Sequence, residues 1–489
     1  MQPKFYNELL TNPLWRIKYH GRIYTAGEFC HLVYQISNEI KEIDINYDRE
    51  SYFIAVGYHG FEYFLYILLA SYLGINLILC DPKMLGSLLN NYQLNYALIL
   101  TSRNLPTSPI RQFIAQLETS GQTSSYLPPI SERQAQLIFF TSGTTSLPKL
   151  VLYQEAKLLR NARVVGQYLQ IRSTDKCLCM FPVHYMYGFS MTMATLLYSG
   201  EILFERATLT AHEIWSYLKE DQLTLLPTIR SQLAQMQIMM RGSAAYFEHL
   251  KILNASDRIY VDQVADVLKI CPVFWNNFGQ TESGPRLFAL EIAKSQIKRL
   301  HHYSHRNVIA LGSVIDPDIL VSIYNDHDEE CAVNEVGELH YCTPFAMEGY
   351  IDSSGLIRKK SMIHSGDLIY KDSNDCIYWV GRKDETIKID GKYVNIGILH
   401  QFFEQWIAVE GCYFTHCDEK GLIACFVQKD RANNEQLKNI ILQLYRQHFP
   451  NYPRLRQIVF MAAIPTTLSG KVKYKELREQ FQLGVVYEL

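Results

Sequence analysis

The stretch from Leu137 to Val151 has the sequence LIFFTSGTTSLPKLV and limits the possible folds of this chain more than any other. Its first four residues, Leu137 to Phe140, are apolar and predict a buried strand. A loop of small hydroxyl-bearing residues and glycine follows, closed by a cation: Thr141, Ser142, Gly143, Thr144, Thr145 and Lys149. Such a loop can bind a polyanion, because its N–H groups and hydroxyls donate hydrogen bonds and the lysine supplies charge. It lacks the Gly-Lys-Ser/Thr ending of a Walker loop, and an ordinary Ser/Thr-rich surface turn is the alternative interpretation.

Length and composition narrow the class of protein. A chain of 489 residues is longer than one hydrophobic core usually supports, so we expect at least two domains. The formal net charge of −2 gives no electrostatic reason to expect nucleic acid as a partner. The 11 cysteines are scattered without a zinc-site spacing, and the N-terminus has no signal-peptide shape, which together favour reduced thiols and a cytoplasmic protein.

The stretch from Tyr63 to Cys80 contains no charged residue and resembles a membrane-spanning segment. Gly74 and Asn76 divide it into a helix-like half and a strand-like half. We therefore expect a buried helix, a turn and a strand there, and no membrane span.

Hydrophobic patterns along the chain predict an α/β fold. Two strand-like runs enclose a helical one: Tyr52 to Val56, Phe61 to Leu73 and Asn76 to Cys80. This βαβ unit implies a parallel sheet covered on both faces. From about residue 308 to 380 the pattern changes to short alternating strands, which indicates a small β-rich subdomain. We expect a large N-terminal domain of doubly wound sheets at residues 1–382 and a small α+β C-terminal domain at residues 383–489.

Four further segments contain residue types used in nucleotide chemistry. They are FPVHYMYGF at Phe181 to Phe189, NNFGQTE at Asn276 to Glu282, HSGD followed by IYWVGRKDETIKIDG between His364 and Gly391, and PTTLSGK at Pro465 to Lys471. Each alone has a plainer interpretation, such as a core histidine, an incidental turn, a charged hairpin or a solvated tail. Together with the loop, they resemble in order and spacing the acyl-adenylate-forming superfamily. That superfamily includes acyl-CoA synthetases, luciferase and the adenylation domains of nonribosomal peptide synthetases.

The resemblance implies a role for each matched residue. The implied catalytic residues are Lys149, His184, which would lie at the reacting carboxylate, and Lys471, which would reach that carboxylate and the α-phosphate. Glu282 would hold Mg²⁺, since a hard cation prefers carboxylate oxygen. Asp384 would be the hinge on which a mobile C-terminal domain turns. The implied ATP and AMP contacts are Thr141, Ser142, Gly143, Thr144, Thr145, Asn277, Phe278, Gly279, Thr281, Asp367 and Arg382.

Several of these contacts have a more specific implied partner. By the resemblance Phe278 packs on adenine, Thr281 contacts phosphate, Asp367 accepts from the ribose hydroxyls, and Arg382 contacts ribose or phosphate. The implied acid pocket consists of His184, Tyr185, Asn254 and Ala255.

The resemblance also implies a reaction that uses ATP and Mg²⁺. A carboxylic acid would be converted to acyl-AMP with release of pyrophosphate, and a thiol would then take the acyl group. Relatives that activate amino acids usually have Phe-Asp in the first of the four segments, and this chain has no Asp between Phe181 and Phe189. Because an unpaired ammonium in a buried pocket is costly, we expect an acid without an α-amino group, aromatic or fatty.

The thiol acceptor has two interpretations. Residues 388–397 and Asn276 resemble carrier-loading adenylation domains more than typical CoA ligases, so the phosphopantetheine of an acyl carrier protein is the first acceptor and free coenzyme A the alternative. An amino-acid-adenylating enzyme and a non-catalytic nucleotide-binding homologue are less favoured. A non-catalytic homologue would be expected to lose at least one of four residues that this chain keeps: Lys149, Glu282, Asp367 and Lys471.

The chain also departs from the family pattern. Ser146 and Leu150 stand where relatives have glycine in the loop, and Asn254 to Ser256 stand where relatives often have a Gly-rich adenine contact. These positions shape loops and perform no chemistry. They therefore bear on the substrate and partner, and the expected reaction class is unchanged.

Overall fold

The computed structural model describes most of the chain. The described residues are 4–42, 50–101, 131–141, 149–206, 209–255, 258–305, 307–358, 361–383, 386–389, 392–404, 409–417, 421–428, 434–450, 452–461 and 485–488. The chain divides into two compact units. Unit 1 consists of Met1–Ser322, His340–Ile363 and Lys371–Tyr378, and unit 2 of Ile323–Leu339, His364–Tyr370 and Trp379–Leu489.

The elements follow one another in chain order. The first group is α1 (Phe5–Thr11), β1 (Arg16–Tyr19), β2 (Arg22–Thr25), α2 (Ala26–Glu42), β3 (Tyr52–Val56), α3 (Gly60–Leu73), β4 (Asn76–Cys80), α4 (Leu85–Asn91), β5 (Tyr96–Thr101) and β6 (Gln136–Phe140). The second group is β7 (Leu150–Gln154), α5 (Glu155–Tyr168), β8 (Lys176–Cys179), α6 (Met186–Leu197), β9 (Glu201–Phe204), α7 (Ala211–Glu220), β10 (Leu225–Thr228), α8 (Arg230–Gly242), β11 (Lys251–Asn254), α9 (Val261–Ile270), β12 (Val273–Gln280) and β13 (Gly284–Ala293).

The remaining elements are mostly strands. A 3₁₀ segment at Lys294–Tyr303 precedes β14 (Ser304–His305), β15 (Val308–Ile309), β16 (Ser313–Val314), β17 (Leu320–Tyr324), β18 (Gly337–Cys342), β19 (Gly349–Ile351), β20 (Ile357–Arg358), β21 (Ile363–Lys371) and β22 (Ile377–Arg382). The last group is β23 (Thr386–Ile389), β24 (Lys392–Asn395), α10 (Ile396–Glu404), β25 (Val409–Cys417), β26 (Gly421–Gln428), α11 (Asn434–His448), β27 (Leu455–Met461) and β28 (Val485–Glu488).

A seven-stranded sheet in unit 1 has the order β20-β19-β7-β6-β4-β3-β5. Strands β3, β4, β5 and β6 are parallel, and β7 returns antiparallel to β6. The βαβ unit predicted from the sequence is confirmed. Helix α3 is buried on all its faces and ends at Gly74, whose left-handed backbone lets its N–H donate to the carbonyl of Ala70. In the part of the chain that the structure describes, no helix is long and apolar enough to cross a membrane.

A nine-stranded sheet, also in unit 1, has the order β16-β13-β12-β11-β10-β8-β9-β1-β2. Strands β1 and β8 to β12 are parallel, and antiparallel strands close both edges. Parallel strands require apolar cover, and α7, α8 and α9 supply it with buried residues such as Trp215, Leu233 and Val267. The α/β class expected from the sequence is confirmed.

The region from residue 308 to 380 is rich in strands, as the sequence predicts. Its strands do not all belong to one sheet, however. β16 extends the nine-stranded sheet, β19 and β20 extend the seven-stranded sheet, and β17, β18, β21 and β22 form a four-stranded sheet in the order β17-β18-β21-β22. This distribution places β19, and with it Tyr350, directly beside β7.

The described part of unit 2 is an α+β structure. Strands β23 and β24 form a hairpin, and a four-stranded sheet has the order β25-β26-β27-β28. Its core is aromatic: the ring of Phe403 on α10 lies 5.5 Å, centroid to centroid, from both Phe414 and Phe426. These rings pack α10 against the sheet.

A buried carboxylate ties together several segments of unit 1. Glu155, at the start of α5, is fully buried and accepts hydrogen bonds from the backbone N–H of Phe5 at 3.0 Å, the hydroxyl of Ser71 at 2.5 Å and the backbone N–H of Ala135 at 2.8 Å. Burial raises the pKa of Glu155, and these hydrogen bonds act in the opposite direction. One side chain thus joins α1, α3, the entry to β6, and α5.

We expect Glu155→Ala to lower the free energy of unfolding by about 3 kcal/mol or more, because three buried donors lose their acceptor. Urea unfolding followed by circular dichroism measures this change. The control is Arg163→Ala on the same helix, which removes a partly exposed ion pair with Glu8 and should change stability by less than about 1 kcal/mol. Equal effects of the two substitutions would contradict the anchoring role of Glu155.

Candidate active site

The two ends of the Ser/Thr-rich loop are fixed by a β-hairpin. Strands β6 and β7 pair antiparallel, with Phe140 opposite Leu150. The N–H of Thr141 donates to the carbonyl of Lys149 at 2.9 Å, and the N–H of Lys149 donates to the hydroxyl of Thr141 at 3.2 Å. Residues 142–148 lie outside the described residues, so the contacts of Ser142, Gly143, Thr144 and Thr145 stay predictions.

Tyr350 brings two of the predicted motifs together. The ammonium of Lys149 lies 5.1 Å from the centroid of the Tyr350 ring, and the Tyr350 hydroxyl donates to the Glu282 carboxylate at 2.9 Å. Burial and the Glu282 charge raise the pKa of Tyr350, so its hydroxyl stays protonated and donates. One tyrosine therefore holds a cation from the loop and a carboxylate from the second motif at one place in unit 1.

The turn that carries Thr281 and Glu282 is tied to strand β7. The buried hydroxyl of Tyr153 donates to the carbonyl of Thr281 and accepts from the N–H of Gly284 at 2.8 Å. The N–H of Met347 donates to the carbonyl of Glu282 at 3.1 Å. These bonds set the position of the β12–β13 turn relative to the loop.

The motif itself lies at a β-bulge of the β12–β13 hairpin. The ladder is irregular between Phe278 and Gln280, and the ring of Phe278 stacks on Phe288 with the centroids 5.6 Å apart. A Cβ atom at Gly279 would lie 2.4 Å from the carbonyl oxygen of Pro285. Glycine is required there because the two strands approach too closely for any side chain.

Asn277 has its side chain engaged by the protein. Its amide donates to the carbonyl of Asn254 at 3.2 Å and accepts from the hydroxyl of Tyr168 at 2.6 Å. The amide of Asn254 in turn donates to Asn276 at 3.0 Å, and the N–H of Ala255 donates to the carbonyl of Thr228 at 3.3 Å. These contacts join the carboxyl ends of β10 and β11 to the middle of the neighbouring strand β12. Open α/β sheets bind ligands at the carboxyl ends of their strands.

His184 is buried just before α6. Its Nε2 lies 3.4 Å from a carboxylate oxygen of Asp81, and the rings of Tyr63 and Tyr185 lie against it with centroids at 4.7 Å and 4.4 Å. Burial lowers the pKa of His184 from 6.5 to about 4, although the Asp81 charge acts in the opposite direction. The imidazole is therefore neutral at pH 7, and it can form a hydrogen bond with a carboxylate but cannot neutralise its charge.

In unit 2 the structure brings Asp367 and Arg382 together. A guanidinium nitrogen of Arg382 lies 3.3 Å from Asp367 and donates to the carbonyl of Ser365 at 2.9 Å, and the indole of Trp379 donates to Asp367 at 3.0 Å. Gly366 has a positive φ of 72°, and a Cβ there would lie 2.8 Å from Arg382. The two predicted ribose contacts thus form an ion pair between the buried Asp367 and the partly exposed Arg382.

Other predicted residues lie outside the described part of the chain. Lys471 and the hinge Asp384 are among them, so their roles stay predictions.

Sequence reasoning did not predict four residues of these clusters: Tyr153, Tyr350, Asp81 and Trp379. Asp81 directly follows the buried parallel strand β4, and that position is the signal that could have identified it. Trp379 lies inside a motif that was recognised for other residues. Tyr350 has no local signal, because its role depends on the pairing of β19 with β7.

The residues near Glu282 fit a magnesium ion bound with nucleotide phosphates. One carboxylate oxygen accepts from Tyr350, and no cation of the described residues forms an ion pair with Glu282. Mg²⁺ is usually held by one or two carboxylates together with phosphate oxygens. The donor set is therefore suited to Mg²⁺ bound with a triphosphate.

Comparison with known proteins identifies the family. The model of the AMP-binding enzyme family matches residues 98–351, which is more than half of the chain. The protein belongs to this family of AMP-binding enzymes.

Individual relatives are distant. 4-Coumarate–CoA ligase 4 of Arabidopsis thaliana is 23% identical over 393 residues, which cover 75% of this chain and 65% of that enzyme. Indoleacetate–CoA ligase of Aromatoleum aromaticum is 22% identical over 371 residues, covering 75% of this chain and 71% of that enzyme. The chain thus spans about two thirds of the length of these relatives.

Solved structures show the same fold over almost the whole chain. O-succinylbenzoate coenzyme A synthetase from Bacillus subtilis, in complex with AMP, superposes with a TM-score of 0.74 at 15% identity and covers 98% of both chains. A second structure of that enzyme, with ATP and magnesium ion, has a TM-score of 0.72 at 15% identity and covers 98% of this chain and 99% of that one. The likeness establishes the architecture of a large N-terminal domain and a small C-terminal domain.

We expect Tyr350→Phe to weaken binding of ATP in the presence of Mg²⁺ by roughly fivefold, because Glu282 loses the donor that orients it. The phenyl ring still supports Lys149, so the loss belongs to the hydroxyl alone and should disappear when EDTA removes the metal. Isothermal titration calorimetry measures both affinities. The control is Tyr246→Phe, at a second tyrosine whose ring lies near a lysine, Lys294. Unchanged affinity in Tyr350→Phe would contradict the arrangement.

The pKa of His184 predicts a pH dependence of stability. The unfolded chain binds a proton at this residue below pH 6.5, and the folded chain binds it only below about pH 4. Stability is therefore complete above pH 6.5 and falls as the pH is lowered towards 4. The loss amounts to on the order of 3 kcal/mol, since one pKa unit corresponds to about 1.4 kcal/mol.

Urea unfolding between pH 4 and pH 7 tests this dependence. His184→Phe should flatten the acid side of the stability profile, because the titrating group is gone. His212→Gln, at an exposed histidine on α7, should leave the profile as in the wild type. Parallel profiles for wild type and His184→Phe would show that His184 titrates normally.

Proposed function

We propose that the protein is an ATP-dependent acid–thiol ligase. In the first step a carboxylate oxygen attacks the α-phosphorus of ATP, the bond to the β-phosphate oxygen breaks, and acyl-AMP and pyrophosphate form. In the second step a thiolate attacks the acyl carbon and AMP leaves. Membership of the AMP-binding family supports adenylate chemistry.

The Lys149–Tyr350–Glu282 arrangement is the observation that carries this proposal. A loop cation and a motif carboxylate, far apart in sequence, meet at one tyrosine. A triphosphate needs positive charge on its oxygens and a carboxylate to hold its metal ion. Few other ligands require both groups at one place.

Each residue then has a defined task. The ammonium of Lys149 neutralises phosphate oxygens, and Tyr350 fixes the Glu282 carboxylate in the orientation that holds the metal. Mg²⁺, when bound, neutralises the charge on the phosphates and on the departing pyrophosphate. Lys471 stabilises the charge that builds on the α-phosphate oxygens. Neutral His184 orients the reacting carboxylate by a hydrogen bond.

The second step needs a different set of C-terminal residues. We propose that residues 383–489 turn about Asp384 after the adenylate has formed, so that the thiol replaces Lys471 at the acyl group. One site can then serve both half-reactions, because a hinge permits it to be rebuilt between them. Asp367 and Arg382 hold the ribose of AMP.

Two candidate acceptors of the acyl group carry the same reactive group, a phosphopantetheine thiol. We place an acyl carrier protein first, on the resemblance of residues 388–397 to carrier-loading domains. Free coenzyme A is the second candidate, and the names of the relatives, which are CoA ligases, favour it. The acid is one without an α-amino group, since Phe181 to Phe189 contains no Asp.

The half-reactions can be separated experimentally. We expect Lys471→Ala to abolish acid-dependent exchange of pyrophosphate into ATP and to spare transfer from supplied acyl-AMP to a thiol, because the lysine acts only in the first step. Lys473→Ala, two residues further on, is the control and should retain both activities. Equal loss of both half-reactions in Lys471→Ala would contradict the proposed role.

A panel of carboxylic acids in the exchange assay, with coenzyme A and a holo-carrier protein as alternative acceptors, tests the function as a whole. Acid-dependent exchange followed by thioester formation on the carrier is the expected result. Thioester formation on coenzyme A alone would assign the acceptor to the second candidate. No exchange with any acid would remove the proposed function.

A further inference from the structure

A buried arginine in unit 1 has donors without partners. Arg286, on β13, is 2% exposed, and its Nη1 donates to the carbonyl of Pro285 at 3.3 Å. Its guanidinium carbon lies 4.6 Å from the centroid of the Tyr187 ring. Its Nε and Nη2 have no hydrogen-bond partner among the described residues.

The charge of Arg286 is uncompensated within the described structure. A guanidinium stays protonated in proteins, and a buried charge without a counter-ion is strongly unfavourable. In the ranges that the structure describes, no carboxylate forms an ion pair with Arg286. The undescribed loop at residues 142–148 contains no Asp or Glu. A negative charge supplied by a ligand would complete the site.

The two unpartnered nitrogens define what that ligand must look like. Nε–H and one N–H of Nη2 point the same way from one edge of the planar guanidinium. This pair of parallel donors matches the two oxygens of a carboxylate, which can accept both hydrogen bonds at once. A single acceptor such as a hydroxyl would leave one donor unpaired.

The position of Arg286 connects it with the proposed acid site. It lies across the β12–β13 hairpin from Gly279, the central glycine of the second motif, where a Cβ atom would be 3.0 Å from the Arg286 Cα. Its guanidinium lies over Tyr187, which belongs to the His184 segment. Burial raises the pKa of Tyr168, and both the Arg286 charge and a hydrogen bond between the Arg286 and Tyr168 side chains act in the opposite direction. The backbone of Arg286 thus lies beside the motif assigned to AMP, and its guanidinium lies against the segment assigned to the acid.

We propose that the acid substrate has a second carboxylate, which is not adenylated, and that Arg286 binds it through Nε and Nη2. This inference rests on the proposed function, since it concerns the acid of that reaction. It also refines the expectation of an aromatic or fatty acid: the part of the acid that contacts Tyr187 can be apolar, but the acid ends in an anion at Arg286. Arg286 is then the residue that selects dicarboxylic over monocarboxylic acids.

Matched pairs of acids test the selection. Isophthalate and 3-methylbenzoate, terephthalate and 4-methylbenzoate, and glutarate and pentanoate differ mainly in one carboxylate. The wild type should prefer the dicarboxylate of at least one pair in acid-dependent pyrophosphate exchange. Arg286→Met should reduce that preference, as the ratio of kcat/KM values, by roughly 100-fold, because the second carboxylate is left buried and unpaired. Arg286→Lys should not restore it, since an ammonium lacks the paired donors.

Stability separates substrate binding from a structural role. Removing an unpaired buried charge does not destabilise a fold, so Arg286→Met without ligand should melt at or above the wild-type temperature.

Arg160→Met, at a more exposed arginine that also lies over an aromatic ring, is the matched control for exchange. Asp257→Asn tests for an internal partner, because Asp257 lies outside the described residues. A clear loss of stability in Arg286→Met, or the same loss of preference in Asp257→Asn, would overturn the inference.

Binding measurements keep the two proposals distinct. If no acid supports exchange, the proposed function fails, and calorimetric titration of the same acid pairs into wild type and Arg286→Met still tests Arg286. Tighter binding of a dicarboxylate by the wild type alone supports the inference. Two outcomes would show that Arg286 does not hold a second carboxylate. In the first, the wild type uses or binds the monocarboxylate and the dicarboxylate of every pair equally well. In the second, Arg286→Met loses activity or affinity equally for both members of a pair.

Discussion

The hydrogen bonds of the Tyr153 hydroxyl fix the position of the proposed nucleotide site in unit 1. This buried group donates to the carbonyl of Thr281 and accepts from the N–H of Gly284. It therefore ties the turn of the nine-stranded sheet to strand β7 of the seven-stranded sheet, directly after the loop that ends at Lys149. Gly284 has a positive φ of 82°, which glycine adopts without strain. Burial raises the pKa of Tyr153 well above its ordinary value, so the hydroxyl keeps its proton and both bonds.

Much of the fold could be predicted because it is encoded locally. The continuous apolar runs of β3 and β4 and the apolar α3 between them follow from side-chain burial, and Gly74 marks the turn. The assignment of the strands between residues 308 and 380 to different sheets could not be predicted. Pairing partners depend on contacts between distant segments, and β19 is only three residues long. The role of Tyr350 could not be predicted for the same reason.

The site could be predicted in its residue types but not in its partners. The motif spacing indicated Lys149 and Glu282, and nothing in the sequence showed that a tyrosine lies between them. Asn277 matched a family position, yet its amide is engaged by Asn254 and Tyr168. His184 was expected at the reacting carboxylate, and only its burial against Tyr63 and Tyr185 shows that it is neutral at pH 7. Burial and pairing arise from tertiary structure, which a motif does not record.

The charges buried near the proposed acid site differ in kind. His184 loses its charge because burial lowers its pKa, whereas Arg286 cannot lose its charge and lacks a described counter-ion. A fold that keeps an unpaired cation at such a place gives up stability, and binding of an anion recovers it. In the proposed function, this contrast gives the two carboxylates of the acid different partners: a neutral hydrogen-bonding group at His184 and a fixed charge at Arg286.

A crystal structure with a non-hydrolysable ATP analogue and Mn²⁺ would examine the Lys149–Tyr350–Glu282 arrangement itself, because anomalous scattering locates the metal. We expect a metal peak about 2.1 Å from a Glu282 carboxylate oxygen. The Lys149 ammonium should lie within hydrogen-bond distance of a phosphate oxygen, and Tyr350 should still donate to Glu282. A triphosphate bound elsewhere, or a metal with no Glu282 ligand, would show that these three residues do not form the nucleotide site.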